Sequence, residues 1–200
     1  MDKTENDLLK GYQGIFFSEE VQKKLVKLQK RGLDSIIKDM HITFKYGELE
    51  KFPDELMNKE IMVKIIGYAS DGKNSGFQVE LPEELKKYYK NVNGAHITVS
   101  LGEVDGIKGK AVDTGVMEFE PIDPVEISGQ LGYFVYKKDR SKSEKIMDNS
   151  LFGKEYEKND FKATNVREGE IQAVLNETIE KQKEISNPEQ AKEEHIQSDN

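Results

Sequence analysis

Two nine-residue segments of this chain, MHITFKYGE at 40–48 and AHITVSLGE at 95–103, are nearly the same sequence 55 residues apart. They hold two of the three histidines in 200 residues, and Thr follows each of these two histidines two positions later. Apolar and polar residues alternate in both segments, which predicts two β-strands with one buried and one polar face. The repeat therefore predicts a chain with two similar halves.

Side chains alternate between the two faces of a strand, so each repeated segment has a defined polar face. The residues predicted on these polar faces are His41, Thr43 and Lys45 in the first segment and His96, Thr98 and Ser100 in the second. If the two strands lie side by side or across a groove, their imidazole, hydroxyl and ammonium groups meet in one space. This set of groups suits a phosphate.

The elements around the repeat predict the order strand, helix, histidine strand twice. A helix is expected to start after Ser18, a good N-cap, and to end near Gly32, and a second helix is expected over 82–91. Further strands are predicted over 11–18, 61–70, 76–81, 110–121 and 124–138.

The composition changes near residue 140. Residues 140–200 contain only 16 apolar side chains in 61, too few for a core of their own. We therefore expect one domain over 1–139 and an acidic extension over 140–200. The extension contains one predicted amphipathic helix at about 168–186, with Ile171, Val174, Leu175 and Ile179 on one face, and a disordered end. That helix is a candidate surface for a protein partner or for self-association.

Charge and residue content exclude several classes of protein. The chain has no cysteine, so disulfides and thiolate chemistry are excluded. Its net charge is −8 and no basic stripe is visible, which disfavours duplex nucleic acid and favours a small nucleotide or an RNA terminus as the partner. No signal peptide or apolar span is apparent, so we expect a soluble cytoplasmic protein without membrane contact.

Two histidines can divide the proton transfers of phosphodiester hydrolysis between them. One imidazole takes a proton from the attacking oxygen and the other gives one to the leaving oxygen, since the histidine pKa is about 6.5. The hydroxyls of Thr43 and Thr98 can donate to phosphate oxygens, and Lys45 can add a cationic contact. A two-histidine metal site is the alternative, disfavoured because no acid follows either histidine on its polar face.

The paired motifs His41-Ile42-Thr43-Phe44 and His96-Ile97-Thr98-Val99 resemble the 2H phosphoesterase superfamily over residues 10–138. The resemblance implies a bilobal α+β fold with antiparallel sheets lining a central groove and helices outside. It also implies hydrolysis of a phosphodiester at a ribose hydroxyl, without metal or cofactor, by His41 and His96 as acid and base with Thr43 and Thr98 on the phosphate. The substrates implied are 2′,3′-cyclic phosphate RNA ends and small cyclic or 2′,5′-linked oligonucleotides. Some members are phage enzymes that degrade nucleotide alarm signals in the host cytoplasm.

Three aromatic residues near predicted strands, Tyr12, Phe77 and Tyr133, are candidates for stacking on a base, although core packing is the commoner role of such residues. The third histidine, His195, lies in a charged terminus and is expected to be solvated. A non-catalytic nucleotide-binding module that recruits a partner through the C-terminal helix is the alternative function. A purely structural protein is the third interpretation, which two inward-facing histidines disfavour.

Overall fold

The computed structural model describes residues 10–136 and 143–153. The strands, in chain order, are β1 (Lys10–Phe16), β2 (Ser35–Ile36), β3 (His41–Glu48), β4 (Ile61–Ser70), β5 (Asn74–Glu80), β6 (His96–Leu101), β7 (Glu103–Val104), β8 (Ile107–Lys108), β9 (Glu120–Val135) and β10 (Glu144–Ile146). The α-helices are α1 (Glu19–Leu28) and α2 (Glu83–Lys86), and 3-10 helices cover Ala111–Val116 and Ser150–Phe152.

Most of the strands form one antiparallel sheet in the order β2-β6-β5-β4-β9-β1-β3, with β10 also paired to β9. The short strands β7 and β8 form a separate hairpin. The 16-residue strand β9 joins two parts of the sheet, because it pairs with β4 as far as Gly129 and with β1 from Gln130 onward. The fold is therefore an antiparallel sheet with few helices, in agreement with the predicted α+β class.

The predicted order of strand, helix and histidine strand occurs twice. In the first instance β1 and α1 precede β3, and in the second β5 and α2 precede β6. Within each instance the first strand pairs directly with the histidine strand, β1 with β3 and β5 with β6. Each histidine therefore lies on a strand supported by the strand that begins its own repeat.

Helix α1 begins where the sequence predicts. The Ser18 side chain accepts a hydrogen bond from the Val21 backbone N–H at 3.3 Å, which satisfies one of the free donors at the helix start. Leu25 is fully buried and anchors the helix on the sheet. The helix ends at Leu28 rather than near Gly32, because Gln29 adopts an extended conformation.

Helix α2 is much shorter than the predicted 82–91 segment, since it covers only Glu83–Lys86. The residues that follow bind the other histidine strand instead of continuing the helix. The Lys90 N–H donates to the Phe44 carbonyl at 2.8 Å, and the Asn91 side chain donates to the Thr43 carbonyl at 3.2 Å. These contacts connect the segment before His96 to β3.

The strand predicted over 110–121 is wrong for most of its length. Ala111–Val116 is a 3-10 helix, and the strand begins only at Glu120. The cause lies in β5, where the buried Asn74 side chain donates to the Lys110 carbonyl and, at 3.0 Å, to the Thr114 hydroxyl. Because these bonds turn the chain back toward the sheet, the β-branched residues here do not extend.

One hydrophobic core is shared by both parts of the sheet. Its largest fully buried side chains include Phe44, Phe52, Phe77, Ile97 and Leu131. None of the helices in the described part of the chain is long and apolar enough to cross a membrane.

Residues 143–153 pack on the domain, although the sequence places a domain boundary near residue 140. Strand β10 pairs with β9, and Leu151 is buried in the core. The Tyr133 hydroxyl donates to the Asn149 side chain at 2.7 Å, and the Phe152 ring packs edge-on against Tyr133 at 5.4 Å. Residues 143–153 therefore belong to the domain, and the predicted helix at 168–186 lies outside the described residues.

Candidate active site

The two histidine strands have the same register relative to their neighbours. His41 pairs across the sheet with Phe16, and Thr43 pairs with Gly14. In the second repeat His96 pairs with Gln78, and Thr98 pairs with Gly76. The repeat seen in the sequence is therefore also a repeat of local structure.

A β-bulge follows the threonine in both strands. The register shifts between Gln13 and Gly14 in the first repeat and between Ser75 and Gly76 in the second. A Cβ on Gly14 would lie 1.9 Å from the Ile42 carbonyl oxygen, and one on Gly76 would lie 2.4 Å from the equivalent oxygen of Ile97. Because no side chain fits there, both bulges need glycine opposite the threonine.

Each imidazole is held by its own backbone in the same way. The His41 Nδ1 bonds the Asp39 carbonyl oxygen at 2.7 Å, and the His96 Nδ1 bonds the Gly94 carbonyl oxygen at 2.8 Å. A carbonyl oxygen only accepts, so Nδ1 carries the proton in both rings. Nε2, on the opposite side of each ring, is then the nitrogen that exchanges a proton.

Burial lowers the pKa of both His41 and His96, because a charged imidazolium is poorly solvated there. The charge of His96 lowers the pKa of His41 further, whereas the Asp39 carbonyl and carboxylate raise it. His96 is thus close enough to influence the pKa of His41.

The strands that carry the two histidines approach one another without pairing. Strand β3 is at one end of the sheet and β6 is next to the other end, yet their Cα atoms come within 8 Å. The bonds from Lys90 and Asn91 to β3 hold this approach. The two strands that carry the repeated motifs therefore lie near one another, although they are far apart in the strand order.

Both threonines are nearly buried and lie beside their histidines. The Thr43 hydroxyl is 3.4 Å from the Tyr46 hydroxyl, to which it donates. The Thr98 hydroxyl donates to the Ala111 carbonyl at 2.9 Å. For Thr98 to donate to a phosphate, its hydroxyl must rotate away from that carbonyl.

Lys45 does not lie with His41 and Thr43, contrary to the prediction from strict alternation. The bulge leaves Phe44 without a cross-strand partner, so the two faces exchange between Thr43 and Lys45. The Lys45 ammonium forms an ion pair with Glu50 instead. Tyr46, rather than Lys45, lies on the same face of the strand as His41, and the centroid of its ring is 5.9 Å from the centroid of the Tyr12 ring.

Ser100 is turned away from His96 by the equivalent bulge. Its hydroxyl donates to the Gln29 side chain at 2.6 Å and accepts from the Leu33 N–H at 3.1 Å. The residue is fully buried on the side of the sheet that carries α1. The prediction of Ser100 as a substrate contact is therefore corrected to a structural role.

Of the three aromatic candidates, only Tyr12 lies at the histidines. Its ring stacks on His41 with centroids 4.6 Å apart and on Phe134 with centroids 5.0 Å apart. Tyr133 is fully buried, accepts the Phe52 N–H at 2.8 Å and has a pKa raised by burial, so it belongs to the core. Phe77 is also fully buried.

Lys145 on β10 is a site residue that the sequence did not indicate. Its ammonium pairs with the Asp39 carboxylate at 2.7 Å and lies 6.0 Å from the Phe16 ring centroid. Its charge lowers the pKa of His41, so it lies within electrostatic range of that imidazole. No sequence signal marked it, because it lies beyond the predicted domain boundary.

The surroundings of the two histidines differ in polarity. An aromatic cluster lies beside His41: Tyr12 and Phe16 contact its ring, and Tyr46, Phe134 and Tyr136 pack around Tyr12.

Around His96 the equivalent register positions carry Asn74, Gln78 and Leu101. A Cβ at Gly115 would lie 2.5 Å from the His96 ring, so the 3-10 helix packs directly on the imidazole. The site therefore has one aromatic and one largely polar half.

The described residues contain no group of three or more His, Asp or Glu side chains placed to hold a metal ion. Comparison with known protein families, with curated proteins and with solved structures found no match to this chain.

Proposed function

We propose that this protein is a metal-independent phosphodiesterase of the 2H phosphoesterase type, with His41 and His96 as its acid and base. The observation that carries the proposal is the structural equivalence of the two motifs. Each histidine lies two residues before a threonine, and a β-bulge follows that threonine. The Nδ1 of each histidine bonds the backbone carbonyl oxygen of the residue two positions earlier. Two imidazoles held in the same tautomer near one another suit paired proton transfer.

The proposed reaction is attack of water on phosphorus. One neutral imidazole takes a proton at Nε2 from the water as its oxygen bonds to phosphorus. The other imidazole, protonated, donates a proton to the ribose oxygen as the bond from that oxygen to phosphorus breaks. The enzyme then returns to its starting state by passing the first proton to solvent and regaining one on the second imidazole.

The lowered pKa values of His41 and His96 favour the neutral form of both rings in the free enzyme. An anionic phosphate bound beside an imidazole favours its protonated form and raises its pKa. Substrate binding therefore helps to create the acid while the second ring stays neutral as the base. A bell-shaped dependence of rate on pH follows, with two apparent pKa values that belong to the pair.

Other side chains support the same assignment. Thr43 and Thr98 lie beside the histidines and supply hydroxyls for the non-bridging phosphate oxygens. Lys145 supplies the cation that the sequence assigns to Lys45. The aromatic cluster offers a face for a nucleobase, with Tyr12 as its centre.

We propose substrates with a phosphodiester at a ribose hydroxyl, which are a 2′,3′-cyclic phosphate RNA end or a small cyclic or 2′,5′-linked oligonucleotide. The test is hydrolysis of a panel of these compounds in EDTA by the unmodified chain and by His41→Ala and His96→Ala. We expect loss of activity by about a hundredfold or more in each variant. The matched control is the third histidine, as His195→Ala, which should retain activity.

Full activity in either site variant, or activity abolished by EDTA, would contradict the proposal. Tight binding of a nucleotide without turnover would instead support the alternative of a non-catalytic nucleotide-binding module. The predicted helix through which such a module would recruit a partner falls outside the described residues.

A further inference from the structure

A cavity of about 500 Å³ lies beside the aromatic cluster and is not used by the proposed proton transfers. Its floor includes the buried residues Phe16 and Phe17. Exposed polar side chains form its rim, namely Asn58, Glu60, Gln130 and Lys145. Its volume falls within the roughly 300–1,000 Å³ of small-molecule sites.

Residues paired across three neighbouring strands of the sheet connect this cavity to His41. His41 on β3 pairs with Phe16 on β1, and Phe16 pairs in turn with Gln130 on β9. Neighbouring strands are about 4.8 Å apart, so Gln130 is about 10 Å from His41 across the sheet.

The Phe16 ring contacts His41 with centroids 5.5 Å apart and also lines the cavity. His41 and the cavity therefore lie on the same face of the sheet.

The charges of the lining indicate which part of a nucleotide fits there. Glu60 places a carboxylate on the rim, which disfavours a phosphate inside the cavity. Asn58, Ser128 and Gln130 can donate to and accept from the edge of a base, and Phe16 offers an aromatic surface. Lys145 lines the cavity on the side of His41, where it can neutralise the phosphate that joins two nucleosides.

We infer that this cavity binds a second nucleoside, attached to the phosphodiester that His41 and His96 cleave. The preferred substrate is then a linked or cyclic oligonucleotide of at least two nucleosides, rather than a nucleoside 2′,3′-cyclic monophosphate. This inference rests on the proposed function and narrows its substrate class.

The test compares kcat/KM for a cyclic dinucleotide with kcat/KM for a nucleoside 2′,3′-cyclic monophosphate. The cavity variants are Gln130→Ala and Asn58→Gly, which remove proposed base contacts at two exposed positions on different segments, and their folding is checked by Tm. We expect the ratio to favour the dinucleotide in the unmodified chain and to fall about tenfold in each variant, as for one lost hydrogen bond. The matched control, Glu103→Gln on β7, should keep the original ratio.

A ratio unchanged in both cavity variants would overturn the inference while leaving the proposed function intact. Absence of hydrolysis of either substrate by the unmodified chain would count against the proposed function instead. Binding of a phosphorothioate-linked dinucleotide, measured by calorimetry, then decides the role of the cavity without turnover. Weaker binding by Gln130→Ala and Asn58→Gly supports it, and equal Kd values in all three chains overturn it.

Discussion

At the scale of single residues, the spacing of the two H-x-T motifs is enough to predict that His41, Thr43, His96 and Thr98 lie on strands in matching positions. The prediction from strict alternation is wrong for the next polar position of each strand, because a bulge after each threonine turns Lys45 and Ser100 to the other face. A bulge depends on cross-strand register, which a single strand's pattern does not contain.

The position of Lys145 near His41 predicts that replacing Lys145 changes the pKa of His41, whereas replacing Lys45 does not. Lys145→Met removes a cation that lowers the pKa of His41 and releases the Asp39 carboxylate that raises it, so the pKa of His41 should rise. Lys45→Met removes a lysine that is paired with Glu50 and should leave the pKa of His41 as it was. NMR titration of the imidazole measures both. Equal shifts in the two variants, or no shift in Lys145→Met, would refute the placement of Lys145.

At the scale of secondary structure elements, β1, α1 and the hairpin of β4 and β5 follow from local pattern. The predictions for 82–91 and 110–121 fail because tertiary hydrogen bonds override local preference in both segments. Lys90 and Asn91 bind β3, and Asn74 holds the chain at Lys110 and Thr114. These long-range partners are not visible in the local sequence, although Gly76 and Gly115 mark the places where elements approach closely.

The glycines of the two bulges should be intolerant of a methyl group. In Gly14→Ala and Gly76→Ala the new Cβ meets a backbone carbonyl at 1.9 and 2.4 Å, so the strands must move. We expect each variant to lower the free energy of unfolding by about 1–3 kcal/mol, as overpacking does, and to reduce hydrolysis by displacing the adjacent threonine. In the control Gly32→Ala the nearest atom lies 3.9 Å away, and stability should be retained. Denaturant unfolding measures these free energies. Equal free energies of unfolding in all three variants would contradict the need for glycine at the bulges.

At the scale of the whole molecule, the site exists because the sheet brings β3 and β6 together from opposite ends of its strand order. The repeat predicts two similar halves, but not the long strand β9 that joins them or the packing of residues 143–153 onto them. Leu151 of that segment is buried in the core, and Ile146 and Phe152 pack against the core, although residues 140–200 taken together are poor in apolar side chains. Composition therefore placed the domain boundary too early.

The partly buried histidines predict how stability depends on pH. Both have a folded-state pKa below the ordinary 6.5, so the unfolded chain binds more protons in the interval between these values. The free energy of unfolding should be highest above pH 6.5 and should fall as the pH falls through the lowered values. Urea unfolding at several pH values measures this. The double variant His41→Gln, His96→Gln should show a weaker dependence than His195→Gln, and an equal dependence in the two would contradict the burial of the pair.

The most direct test of two histidines acting on one phosphate is a double-mutant cycle in single-turnover hydrolysis, carried out in EDTA. Groups that act as a unit lose most of their effect when either one is removed. We therefore predict that the double variant His41→Ala, His96→Ala is about as slow as either single variant. Losses that multiply in the double variant would show two independent contributions, and would contradict a shared acid and base site.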